Sequence, residues 1–356
     1  MAQLDQLFSE MLAMNASDLH LHEGQQPKVR VHGSLQPLSQ YPEFNRLTMK
    51  QILREICTPE RWKRFEESGD LDFAYAYENF ARFRANYKKH YHGYGAVFRT
   101  IPSRILTLEE LGVPDVLRSF ASFSSGLCLV TGPTGSGKST TLAAVIDFIN
   151  TTQRRTILTI EEPIEFVHPA KESVVTQREV GTDVRTFGEG LRGVLRQDIE
   201  VVLVGEMRDL ETISLAVTAA EMGMLVFGTL HTNSATKTID RIIDVFPNEQ
   251  QAAIRESLAV ALRAVCAQLL IKTADGKGRV AAHEVLLQNR AVSNMIREAR
   301  TGQLNQVIQS SRALGMQTMD DTIENLLKSS RISGHDAYMK ALDKERFQQY
   351  APAAIM

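Results

Sequence analysis

The chain has 356 residues, 43% of them hydrophobic and 23% charged, with a formal charge of −2 from 40 basic and 42 acidic side chains. At roughly 100–200 residues per domain this length suggests two or three domains, and the composition excludes a disordered, collagen-like or low-complexity protein. The balanced charge argues against a protein whose main task is neutralising nucleic-acid phosphates, because that task brings a basic excess.

Leu4, Leu7, Phe8, Met11 and Leu12 recur at helical spacing, which predicts an amphipathic helix over 3–15. This segment has no basic n-region and is not read as a signal peptide. No stretch of about 18 uncharged apolar residues occurs, so no membrane span is expected and a cytoplasmic protein is. Leu19–His22 and Lys28–His32 predict short strands around the Gly24–Pro27 turn. A helical stretch follows at 47–67. Asp70–Tyr77 and Ala81–Tyr87, joined by a turn at Glu78-Asn79, and then Gly95–Thr100 predict further strands. Cys57, Cys128 and Cys266 form no CxxC pair, so neither a thiolate zinc site nor a disulfide scaffold is expected. Together these elements predict a small α+β domain over 1–103. A linker, 104–115, follows Ile101-Pro102-Ser103.

Beyond residue 126 the pattern changes. Leu127–Thr131, Thr156–Ile160, Val201–Val204 and Leu225–Leu230 are short continuous apolar runs, the mark of strands buried on both faces. Their alternation with helical segments predicts an α/β domain with a parallel sheet covered by helices, over 116–285. Residues 249–271 read as one long helix rich in Ala and Leu. From about 285 the chain reads as helices only, giving a C-terminal helical region over 286–356.

The chemistry concentrates at the ends of these strands. Gly132-Pro133-Thr134-Gly135-Ser136-Gly137-Lys138-Ser139 fits G-x-x-x-x-G-K-[ST] between a buried strand and a helix that opens at Thr140. Glycines let successive amides face one phosphate, and the helix N-terminus adds positive partial charge. Lys138 is expected to reach the β- and γ-phosphates of ATP, and Ser139 to hold Mg²⁺. Two later strands end in acids, Glu161, Glu162 and Glu165 after the second and Glu206 after the third. A carboxylate there can orient water or hold Mg²⁺ through water. Glu206 is the first choice, whereas Glu161, Glu162 and Glu165 compete. His231 follows the strand 224–230 and is placed beside the γ-phosphate by the strand-end rule. Gly205 stands where many P-loop enzymes carry Asp.

Taken together these residues resemble the secretion and pilus motor ATPases, most closely the type IV pilus retraction (PilT-like, twitching motility) family. Ala16-Ser-Asp-Leu-His20, Arg82-Phe-Arg84 and Val97-Phe-Arg99-Thr-Ile-Pro102 are similar to its N-terminal motifs. Thr159–Glu165, Gly205-Glu206-Met-Arg208-Asp209, Gly228-Thr-Leu-His231-Thr and Gly315-Met-Gln-Thr-Met-Asp320 resemble its later motifs in order and spacing. The resemblance implies a PAS-like N-terminal domain, a RecA-like P-loop ATPase domain and C-terminal helices. It implies a hexameric homo-oligomer that hydrolyses ATP between subunits, docks on an inner-membrane pilus platform protein, and has a retraction ATPase paralogue as a further partner. It also implies that Arg82, Arg84 and Arg99 complete the nucleotide site, with Glu165 and Glu206 directing water and metal. Three positions depart from the family pattern: Glu162 replaces Asp, Met224 replaces His, and Ser293 replaces an Arg tied by analogy to retraction. Two other readings compete with a retraction motor. One is a nucleic-acid motor, which the balanced charge disfavours; the other is a low-turnover nucleotide-binding subunit or accessory paralogue.

Overall fold

The computed structural model describes residues 3–31, 33–77, 81–101 and 104–352. The chain divides into two compact units, Met1–Arg104 with Pro163–Val167, and Ile105–Glu162 with His168–Met356.

The first unit runs α1 (Gln3–Ala13), β1 (Asp18–His22), β2 (Lys28–Val31), β3 (Ser34–Pro37), α2 (Arg46–Glu55), α3 (Pro59–Ser68), β4 (Asp70–Tyr77), β5 (Ala81–His90) and β6 (Gly93–Ile101). Its sheet is antiparallel in the order β3-β2-β1-β6-β5-β4. The stripe Leu4, Leu7, Phe8, Met11 is fully buried, and Phe8 stacks on Phe83 at 4.2 Å and meets Phe98 edge-on at 5.1 Å. The helix expected over 47–67 is two helices. Pro59 stands at the first turn of α3 and Thr58 caps it, accepting from the Arg61 amide; a residue before proline is driven out of the helical region, so the first helix has to stop. The expected strand end at His32, the turn at Glu78-Asn79, and Pro102-Ser103 lie outside the described residues.

The second unit runs α4 (Val116–Phe120), β7 (Gly126–Thr131), α5 (Lys138–Thr152), β8 (Thr156–Glu161), β9 (Val174–Glu179), α6 (Phe187–Val194), β10 (Val201–Val204), α7 (Leu210–Glu221), β11 (Leu225–Leu230), α8 (Ala235–Asp244), α9 (Asn248–Ala261), β12 (Leu262–Lys272), β13 (Arg279–Leu287), α10 (Arg290–Arg297), α11 (Leu304–Ser310), α12 (Met319–Lys328) and α13 (Gly334–Lys340). The sheet order is β13-β12-β7-β11-β10-β8-β9, parallel throughout except for β13. Every residue of β7, β10 and β11 is buried, and alternate side chains serve opposite faces. Leu127 and Leu129 enter a core with α6–α11, while Cys128 and Val130 enter one with α4 and α5.

The long helix expected over 249–271 is a correction. It ends at Ala261, and Leu262–Lys272 is β12, hydrogen-bonded to β7 on one side and β13 on the other. Its run of small and aliphatic residues lacks alternation because both faces are covered. Such a run cannot be told from a buried helix by periodicity. The C-terminal helices pack within this same unit: α10 and α11 close the larger core, and α12 and α13 cover Ala267, Ile271, Val280 and Ala282. No helix among the described residues is long and apolar enough to cross a membrane.

Candidate functional site

The loop between β7 and α5 is shaped by close approach. Gly132 has φ +150°, and a Cβ there would lie 2.3 Å from the Gln268 carbonyl oxygen and 2.5 Å from Ser136 Oγ. Gly137 has φ +87°, and its Cβ would lie 2.9 Å from Gln268 Nε2. Only glycine meets both demands. Lys138 folds back over the loop, and its Nζ donates to the carbonyls of Gly132 (2.9 Å) and Pro133 (3.2 Å). Gln268, on β12, braces the loop from below. Its Nε2 donates to the Ser136 carbonyl (2.6 Å) and its Oε1 accepts from Thr141 Oγ1 (2.8 Å). Sequence reasoning missed Gln268 because its strand was read as helix; the polar residue inside an apolar run was the available signal.

β11 lies next to β7 and β10 next to β11, so their ends open on the same side as the loop. Glu206, two residues beyond β10, is gripped by Arg208, whose Nε and Nη2 each lie 2.5 Å from a carboxylate oxygen. His231, directly after β11, places Nε2 3.1 Å from Glu206 Oε1 and Nδ1 3.5 Å from Thr134 Oγ1 of the phosphate loop. The three strand ends are thereby joined side chain to side chain. Burial works to raise the Glu206 pKa, but the hydrogen bonds and charge of Arg208, with those of His231, outweigh it and hold the carboxyl below its ordinary value. The hydrogen bond to Glu206, aided by the charges of Glu206 and Glu162, raises Arg208. Ser139 is exposed at the head of α5 and Thr140 is half-buried. The motif containing Arg208 was legible in the sequence, but its side chain carried no assigned role there.

The other expected site residues are placed differently. Glu161 accepts from Thr159 Oγ1 (2.7 Å) and Gln177 Nε2 (3.2 Å) within the sheet, and Glu162 is exposed. Glu165 belongs to the first unit, where its Oε1 lies 3.9 Å from Arg84 Nη1. Arg82, Arg84 and Arg99 also belong to that unit. Arg84 stands opposite Arg99 in the β5–β6 register, with Arg82 two residues away on the same face. Like charges in such register repel, and acids offset them: Asp72 pairs with Arg84 at 3.4 Å and Asp18 with Arg99 at 2.9 Å. Arg82 Nη1 is buried with no hydrogen-bond partner among the described residues. Of the departing positions, Met224 accepts the Gly126 amide through its carbonyl (2.9 Å) at the foot of β7. Ser293 is buried, with Oγ donating to the Ala259 carbonyl (2.9 Å) and accepting from Gln288 Nε2 (3.0 Å).

A mostly parallel sheet with a glycine-shaped loop between an inner strand and a helix defines a P-loop nucleotide-binding protein. The chain belongs to the family of type II/IV secretion system proteins, which it matches over residues 1–344. It is 49% identical over 343 residues to the type IV pilus retractation ATPase PilT of Pseudomonas aeruginosa, covering 95% of this chain and 99% of that protein. It is 48% identical over 319 residues to a twitching motility protein of Neisseria gonorrhoeae, covering 90% and 85%. The crystal structure of the pilus retraction motor PilT with bound ADP superposes with a TM-score of 0.90 at 40% identity, over 98% of this chain and 100% of that one.

Proposed function

We propose that the protein is the ATP-hydrolysing motor of type IV pilus retraction, working as a hexameric ring on the cytoplasmic side of the inner membrane. There it docks on a membrane-embedded platform protein and removes pilin subunits. Its working parts are an N-terminal domain over 1–103, a linker over 104–115, the ATPase domain over 116–285 and a helical region over 286–356. Family membership and the retraction proteins among its relatives support this reading. The observation that carries it is the joining of Thr134, His231 and Glu206 at the mouth of the phosphate loop.

Residues 132–140 cradle the triphosphate, and Lys138 exchanges the Gly132 and Pro133 carbonyls for β- and γ-phosphate oxygens. Ser139 and Glu206 offer a hydroxyl and an ionised carboxylate, an oxygen set that fits Mg²⁺, an ion that keeps several waters. An Mg²⁺ held by these residues would supply positive charge against that of the triphosphate. Glu206 orients the attacking water. His231 passes the state of the γ-phosphate to Glu206. Arg82, Arg84 and Arg99 serve the site of a neighbouring subunit, where a guanidinium stabilises the charge that develops in the transition state.

Steady-state ATP hydrolysis by the purified protein tests the reading. Lys138→Ala is expected to lower turnover by about a hundredfold or more, and native turnover in that variant would overturn it. Glu206→Gln is expected to lower kcat by about 10²-fold while nucleotide binding persists, and an unchanged kcat would remove Glu206 from the chemistry. A second reading, a low-turnover accessory paralogue, is favoured by one feature: both Glu206 oxygens are already held by Arg208. Negligible turnover in the wild-type protein, restored on mixing with an active retraction ATPase, would select it.

A further inference from the structure

The segment Gly315–Asp320 is stitched to β13. Val285 and Gln317 exchange backbone hydrogen bonds (2.8 and 3.2 Å), while Gln317 Nε2 (3.0 Å) and Thr322 Oγ1 (2.6 Å) both donate to the His283 carbonyl. Between these contacts lies Glu284, 2% exposed. Its Oε1 accepts the amide of Ala235 (2.7 Å), the first residue of α8, and the amide of Met319, the first residue of α12, acts on the same carboxyl electrostatically in favour of its charged form. Two ten-residue helices therefore present their positive ends to one buried carboxylate.

Neither helix lacks a cap of its own. Ser234 accepts from the Lys237 amide and Thr318 from the Asp321 amide, so Glu284 adds a shared anchor to helices already capped. Burial and the charge of Asp320 push its carboxyl up, against the two amides that pull it down. A buried carboxylate is costly unless its hydrogen bonds do something a neutral residue would not.

The path continues on both sides. Upstream, only Thr232–Ser234 separate His231 from α8. Thr238 Oγ1 ties this stretch to Thr232 Oγ1 (2.7 Å) and to Thr131 Oγ1 (3.3 Å) at the base of the phosphate loop. Downstream, Asp320 accepts the amides of Leu342 (2.8 Å) and Asp343 (2.9 Å), just past α13.

We infer that Glu284 is a positioning residue that couples the His231 segment to the C-terminal helices, so that the state of the nucleotide reaches α12 and the turn after α13. This rests on the reading of His231 as the neighbour of the γ-phosphate. Coupling of this kind is reciprocal: whatever binds the C-terminal helices alters the nucleotide site in return.

Hydrogen exchange on the full-length protein, with and without a non-hydrolysable ATP analogue and Mg²⁺, tests it. In the wild type the analogue is expected to change exchange in residues 235–238 and in residues 319–322. In Glu284→Gln the first response persists and the second is lost, while kcat falls about fivefold with KM for ATP within about twofold. A response at 319–322 equal to wild type, with unchanged kcat, overturns the inference. If Glu284→Gln fails to fold, Asp320→Asn tests the path one link further: the response at 319–322 stays and that at 342–343 disappears, and a native response at 342–343 overturns it. His231→Ala isolates the underlying reading. Native turnover there removes the γ-phosphate role, while the response at 319–322 still decides the coupling.

Discussion

Gln268 shows how much one buried amide can organise. Both ends of its side chain are used, one on the phosphate loop and one on the helix that follows. Gln268→Leu leaves the Ser136 carbonyl and the Thr141 hydroxyl without partners in a dry interior, at about 1–3 kcal/mol each. The expected outcome is a lower melting temperature together with a raised KM for ATP. A variant that melts lower but binds ATP normally would confine Gln268 to stability. The phosphate loop itself was legible, because its residue types and its strand–helix context are local in sequence. Gln268 was not, because what places it is a strand pairing across more than a hundred residues. For the same reason Glu161, Glu162 and Glu165 could not be separated by inspection: they differ only in where β8 stops and which unit takes the chain next.

Elements were legible where burial leaves a period. The helix α1 shows a clean stripe, and β7, β10 and β11 show unbroken apolar runs bounded by polar turns. The reading failed where two patterns coincide, as in β12, and where a punctuating pair was overlooked, as at Thr58-Pro59. β3 gave no signal because every one of its residues is exposed. The Thr58 cap makes its own prediction. Thr58→Ala removes the acceptor of the Arg61 amide and is expected to destabilise the N-terminal unit by about 1 kcal/mol, read as a lower denaturant midpoint. Thr58→Ser should restore it.

At the scale of the molecule, acid should weaken the P-loop unit. Burial pulls His168 and His283 down to about 4 from an ordinary value of 6.5. Between these values the unfolded chain binds protons that the folded one refuses. Stability is therefore full above 6.5 and is lost as pH falls toward 4, at no more than about 1.4 kcal/mol per pH unit per histidine. Melting temperature should fall between pH 7 and pH 5, and His283→Gln should flatten that slope; an equal slope in the variant would exclude His283 as a source. Glu206 acts in the same direction but lower down, since its carboxyl lies below the ordinary 4.5.

The two strands that cradle the phosphate loop each carry a cysteine at their centre. Cys128 on β7 and Cys266 on β12 are fully covered, and burial raises both thiols, Cys266 to about 12. Cys57, in the other unit, is only half-covered. An alkylating reagent at neutral pH will therefore mark Cys57 first and reach the other two only when the central sheet parts. The wild-type chain thus carries its own clock for how often its motor core opens, and nucleotide should slow that clock.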